Sequence, residues 1–150
     1  MIRKILLITA YIIVIGGSVS AQSSGFGAGI MVGEPTGISL KNWLSKTNAW
    51  DAGVAWRFGR HEKLHLHGDF LWHQYDLIKV KKGTLPLYYG IGARLLSADD
   101  AKLGIRGVFG LDYLFASLPF DVFFELVPIF ELLPGTGLSF NGSIGARYFF

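Results

Sequence analysis

The stretch Trp50-Asp51-Ala52-Gly53-Val54-Ala55-Trp56-Arg57-Phe58 decides the fold class. Trp50, Ala52, Val54, Trp56 and Phe58 alternate with Asp51, Gly53, Ala55, Arg57 and Gly59. A period of two belongs to a β-strand with one apolar and one polar or small face. The alternation recurs on both sides of this stretch. Leu64, Leu66, Phe70 and Trp72 oppose His65, His67, Asp69 and His73, and Leu87, Tyr89, Ile91, Ala93 and Leu95 oppose Tyr88, Gly90, Gly92 and Arg94. Leu103, Ile105, Phe109 and Leu111 oppose Gly104, Arg106, Gly110 and Asp112, and Phe140, Ile144, Ala146, Tyr148 and Phe150 oppose Asn141, Ser143, Gly145 and Arg147. Less regular segments at 26–32, 37–43 and 122–132 bring the strand count to eight. Clusters of Gly, Pro, Ser, Asn and Asp separate the strands as turns.

What each face meets follows from its chemistry. The minority face carries Lys41, Arg57, Arg94, Arg106 and Arg147 with Asp51, Asp69, Asp112, Glu125 and Glu131, spaced by small residues. The water-facing side of a soluble barrel would carry many more scattered charges. A cramped lumen filled by its own side chains needs only a few, paired with one another. The aromatic face is then left for lipid, and Trp43, Trp50, Trp56, Trp72, Tyr75, Tyr89, Tyr113 and Tyr148 are placed to form interfacial girdles.

Composition agrees with this polarity. The 150 residues are 51% hydrophobic and only 17% charged, with 20 glycines and no cysteine. Disorder is excluded by the hydrophobic content. The lack of cysteine excludes disulfide scaffolds, thiol catalysis and cysteine-based metal centres. No apolar run after residue 21 reaches helical spanning length, because Asp121, Glu125, Pro128 and Glu131 interrupt the most hydrophobic segment, 118–133.

A basic start at Arg3-Lys4, an aliphatic run over 5–15 and a small-residue stretch ending at Ala21 predict a secretory signal peptide over 1–21, with the barrel domain over 22–150. Removal of Arg3 and Lys4 lowers the formal charge from +3 to +1. A chain so nearly neutral gives no sign of a nucleic-acid partner.

The final Gly145-Ala146-Arg147-Tyr148-Phe149-Phe150 resembles the carboxy-terminal assembly signal of outer-membrane barrels, with Tyr148 and Phe150 as its outward aromatics. Over residues 22–150 the chain resembles small outer-membrane barrels of the OmpA-transmembrane-domain and OmpX type. More narrowly, Gly33-Glu34-Pro35-Thr36-Gly37, Pro86-Leu87-Tyr88-Tyr89-Gly90-Ile91-Gly92 and Gly110-Leu111-Asp112-Tyr113-Leu114-Phe115 are similar to a compact bacterial barrel family that carries no assigned activity. The resemblance implies an outer-membrane location, contact with membrane lipid and lipopolysaccharide, and insertion by the barrel-assembly machinery. It carries over no catalytic residue.

Other motifs read as structure. Leu133-Pro134-Gly135-Thr136-Gly137 matches a wall-sorting signal, but the alternating residues after it predict a hairpin turn. His65, His67, Asp69 and His73 share one strand face, and same-face neighbours about 7 Å apart would strain to hold one metal. Lumen histidines paired with carboxylates, and no metal, are therefore expected. The His-x-Ser spacing of the lipid A deacylases is absent, as are nucleophile elbows and phosphate loops.

The sequence thus predicts an all-β, eight-stranded antiparallel up-and-down transmembrane barrel, monomeric, without cofactor or catalysis. Its lumen is expected to be plugged by Lys41, Arg57, Asp69, Arg94, Arg106, Asp112, Glu125, Glu131 and Arg147. A narrow conduit for small solutes or ions is the alternative, and a lipid-modifying enzyme a more distant one. The longest connection, 75–85 with Lys79, Lys81 and Lys82, either faces inner-leaflet head groups or belongs to a longer fourth strand.

Overall fold

The computed structural model describes residues 25–57, 63–97 and 101–150, without the Arg57 side chain. The signal peptide expected at 1–21, Phe58 and the turn residues 59–62 and 98–100 lie outside the described residues. The strands are β1 (Phe26–Gly33), β2 (Gly37–Trp43), β3 (Asn48–Arg57), β4 (Lys63–Gln74), β5 (Leu87–Ser97), β6 (Lys102–Leu114), β7 (Phe120–Leu133) and β8 (Gly137–Phe149). Each pairs antiparallel with the next, and β8 returns to β1 from Gly27↔Phe149 to Gly33↔Ser143, so the sheet closes on itself. Closure gives the strand backbones ladder partners on both sides and leaves no sheet edge.

At the end away from the chain termini, short turns join β1 to β2 and β7 to β8. Between β1 and β2 the Gly33 backbone, at φ +128°, hydrogen-bonds Thr36 in both directions: its N–H donates to Oγ1 (2.9 Å) and its carbonyl accepts from it (2.7 Å). The long connection 75–86 lies at the opposite end, with the termini. Thr84 and Leu114 exchange backbone hydrogen bonds of 3.0 and 2.8 Å, and the Asp112 N–H donates to the Pro86 carbonyl. The connection therefore continues the β5 side of the β6 ladder, and β4 stops at Gln74 rather than running on.

Burial alternates along the strands and fixes which face is which. Ile30, Val54, Leu66, Ile91, Phe109, Leu126 and Ile144 point outward and are exposed or half-buried, whereas Lys41, Asp51, Arg106, Asp112 and Arg147 point inward and are buried. Among the described strand residues no charged side chain occupies the outward face. Two aromatics expected in the girdles face the other way. Trp43 shares the inward face with Ser39 and Lys41, and Tyr75 packs against the cluster Trp43, Ala49, Leu114 and Phe149 inside the terminal end of the barrel. Trp50, Trp72, Tyr89, Tyr113 and Tyr148 do point outward, all near that same end, with Trp72 stacked on Tyr89 at 5.9 Å.

Steric room inside is made by glycine. Tyr88 lies directly across the ladder from Gly110, Phe123 from Gly145, Phe149 from Gly27 and His67 from Gly53. In each pair the large ring occupies the volume that a Cβ on the glycine would need. An inward Leu71, Val108, Val127 and Ile129 fill what remains, so the lumen contains an apolar core as well as charges.

Gly110→Ala is expected to destabilise the barrel by about 1–3 kcal/mol, because the new methyl must displace Tyr88. Gly68→Ala, whose Cβ would meet only a backbone oxygen at 3.9 Å, is expected to change stability by less than about 0.5 kcal/mol. Urea midpoints of the two variants in detergent, read from the gel mobility of folded and unfolded forms, check the difference.

Candidate functional site

Among the described residues, the lumen is where chemically capable side chains gather, and it is organised in tiers. Nearest the termini, β2 brings in Lys41, β6 Asp112, β7 Asp121 and β8 Arg147. The Lys41 ammonium donates to Asp112 Oδ2 at 2.6 Å and to His73 Nε2 at 2.8 Å. An ammonium only donates, so His73 Nε2 accepts and its proton sits on Nδ1, which donates to the Thr47 carbonyl at 3.0 Å. Arg147 forks onto Asp121, with Nη2 to Oδ2 at 2.7 Å and Nε to Oδ1 at 3.0 Å. Its third nitrogen reaches Ser39 Oγ at 3.4 Å. The Lys41 ammonium also sits 4.1 Å from the Trp43 ring centroid, and the Arg147 guanidinium 4.0 Å from that of Phe123. Ring faces thus receive the flanks of cations whose donors point at carboxylates.

The middle tier joins β3, β4, β5, β6 and β7. Arg106 Nε donates to Asp69 Oδ1 at 2.9 Å, and its Nη2 lies 3.9 Å from Glu125 Oε2. The Tyr88 hydroxyl donates to the other Glu125 oxygen at 2.8 Å. Asp51 stands opposite Asp69 in the β3–β4 register, and the His67 ring lies beside both. Asp51 makes no ion pair with any described cation, and its buried Oδ1 and the Asp69 Oδ2 receive no hydrogen bond from any described group other than the facing carboxyl. Asp51, His67 and Asp69 present ligand atoms that all lie within 4.8 Å of one another, which makes them the group able to hold a metal ion.

At the far mouth Arg94 Nη2 donates to Glu131 Oε1 at 2.6 Å. A cavity of about 310 Å³ opens there, lined by Glu34, Ala55, Lys63, His65, Arg94 and Asn141. His65 Nε2 and His67 Nδ1 are 3.0 Å apart, linking this cavity to the middle tier.

The structure therefore brings Lys41, Asp112 and Arg147 together in one cluster, Asp69, Arg106 and Glu125 in a second, and Arg94 with Glu131 in a pair. The Arg57 side chain lies outside the described residues. Tyr148 and Phe150 point outward and pack edge-on at 5.1 Å. His73, expected as a lumen histidine, lies in the terminal cluster, and Asp121 and Tyr88 belong to the lumen clusters yet were not among the residues expected to plug it. Period two places Asp121 on the same face as Phe123 and Glu125, and that signal was available.

The solved crystal structure of the N-terminal beta-barrel domain of Pseudomonas aeruginosa OprF matches with a TM-score of 0.65, over 87% of this chain and 100% of that one. This chain has that barrel fold. Sequence identity to the OprF domain is 15%, so the likeness is one of fold. No protein-family model matches the chain, and no curated protein sequence matches it. The eight-stranded closed antiparallel barrel expected from sequence is the architecture the two share.

Removing Arg147 leaves Asp121 with no close cation and Asp112 with Lys41 alone. Arg147→Met is expected to lower stability by about 3–5 kcal/mol, the usual consequence of stranding a buried charge. Arg147→Met combined with Asp121→Leu is expected to recover most of that loss, since both charges then leave the lumen. Unfolding of the two variants in urea, followed by tryptophan fluorescence, measures the recovery.

Proposed function

We propose that this protein is a bacterial outer-membrane barrel, exported by its amino-terminal signal peptide, whose lumen is closed by its own side chains and whose role is structural rather than catalytic. The observation that carries this reading is the inverted polarity: an outward strand face without a charged side chain, around an interior of paired charges. Such a surface is stable only against lipid. The fold shared with the OprF domain supports the outer membrane as its site.

The terminal end of the lumen supports closure. Trp43, Ala49, Leu114 and Phe149 form a dry layer there, directly beneath the Lys41, Asp112, Arg147 and Asp121 cluster. A conducting path would have to break both. Catalysis at the lipid boundary would need a nucleophile and base facing acyl chains, whereas the described histidines of β4 all point inward. Outward contacts are with membrane lipid, including lipopolysaccharide on the far leaflet, and the barrel-assembly machinery reads Tyr148 and Phe150 during insertion. The closed ladder leaves no strand edge for a second copy, which supports a monomer.

The chain purified from membranes and reconstituted in a planar bilayer is expected to show no single-channel steps. Reproducible steps would replace this reading with the narrow conduit. Fractionation of expressing cells is expected to place the chain, lacking residues 1–21, in the outer membrane.

A further inference from the structure

The geometry points to a divalent transition-metal site inside the barrel, formed by Asp51 of β3 with His67 and Asp69 of β4. Along β4, same-face residues are set about 7 Å apart, yet His67 Nε2 comes within 3.8 Å of Asp69 Oδ2, while His65 turns its Nε2 to His67 Nδ1. The third ligand comes from the neighbouring strand. Register sets Asp51 opposite Asp69 and Gly53 opposite His67, and directly opposed residues have Cβ atoms only about 4.5–5.5 Å apart.

Glycines on the neighbouring strands make room for two of the ligands. A Cβ on Gly53 would strike the His67 ring at Cε1 and Nε2, and a Cβ on Gly92 would strike Asp69. Both positions are glycine, so the imidazole and the carboxylate lie over bare backbone. The candidate ligand atoms fall within 4.8 Å of one another. Zinc takes nitrogen and carboxylate ligands at about 2.0–2.2 Å, a reach that small side-chain movements satisfy here.

Charge argues in the same direction. In the middle tier the carboxylates Asp51, Asp69 and Glu125 meet one described cation, Arg106, so carboxylates there outnumber cations by two. Asp51 is 3% exposed and Asp69 4%, and the Asp51 Oδ1 and Asp69 Oδ2 that no other described group reaches belong to this facing pair. Arg106 holds only the other oxygen of Asp69. One divalent ion between them neutralises the excess and occupies both oxygens.

His65 completes the arrangement. With the His67 proton on Nδ1, donated to His65 Nε2 at 3.0 Å, the His67 Nε2 lone pair is free for the metal. A histidine ligand commonly donates its second nitrogen in this way, which fixes its ring. His65 in turn lines the far-mouth cavity, which gives the ion a route in. Imidazole among the ligands favours zinc-like ions over calcium, which takes oxygen.

The test uses the full processed chain purified in detergent and stripped with chelator. Isothermal titration with zinc chloride is expected to show one ion per chain, while calcium chloride shows none. His67→Gln and Asp51→Asn are each expected to abolish binding at micromolar zinc, and His65→Gln to weaken it by about 10–100-fold. Heat-dependent gel mobility reports which variants are folded, and His67→Gln serves alone should Asp51→Asn fail to fold. The proposal is overturned if the unmodified chain binds no zinc, in which case the facing carboxyls share a proton instead. It is equally overturned if folded His67→Gln binds as the unmodified chain does, or if calcium binds as well as zinc.

Discussion

The bore of an eight-stranded barrel is barely wider than the side chains that line it. Every inward residue therefore competes for volume with residues from the strands around it. The chain meets this constraint by pairing bulk with absence across the ladder, as Tyr88 over Gly110 and Phe123 over Gly145 illustrate. The glycine content is thus a packing requirement. At Gly27, Gly53, Gly110 and Gly145 an inward glycine marks the seat of a ring on a neighbouring strand.

The same narrowness governs the electrostatics. Four strands contribute to the Lys41, Asp112, Asp121 and Arg147 cluster, in which Lys41–Asp112 and Arg147–Asp112 tie strands that are not neighbours in the ladder, while Arg147–Asp121 joins the adjacent β8 and β7. Lys41 of β2 reaches Asp112 of β6 across the bore. Backbone hydrogen bonds fix adjacent strands, and these charge contacts fix the cross-section. The packed side chains around these pairs leave little water to weaken them.

Much of this was legible in the sequence because alternation is a local property. Trp50 to Arg57 displays both its faces within one strand, and the eight strands follow from repeating that reading. Trp43 was misplaced because its aromatic character was weighed above its parity with Lys41, which sets it inside. Tyr75 lies beyond the end of β4, where alternation no longer applies. Which charges meet was not legible at all. The partnership of Arg147 with Asp121, and of Asp51 with Asp69, depends on cross-strand register, which no single strand encodes.

The two ends of the lumen differ in kind. The terminal end carries the apolar layer of Trp43, Leu114 and Phe149 with a cavity of about 320 Å³ beside it that reaches His73, while the far mouth opens on a cavity of about 310 Å³ lined by His65. On the proposed reading of a closed lumen, the far mouth is a recess that can hold something small without passing it on.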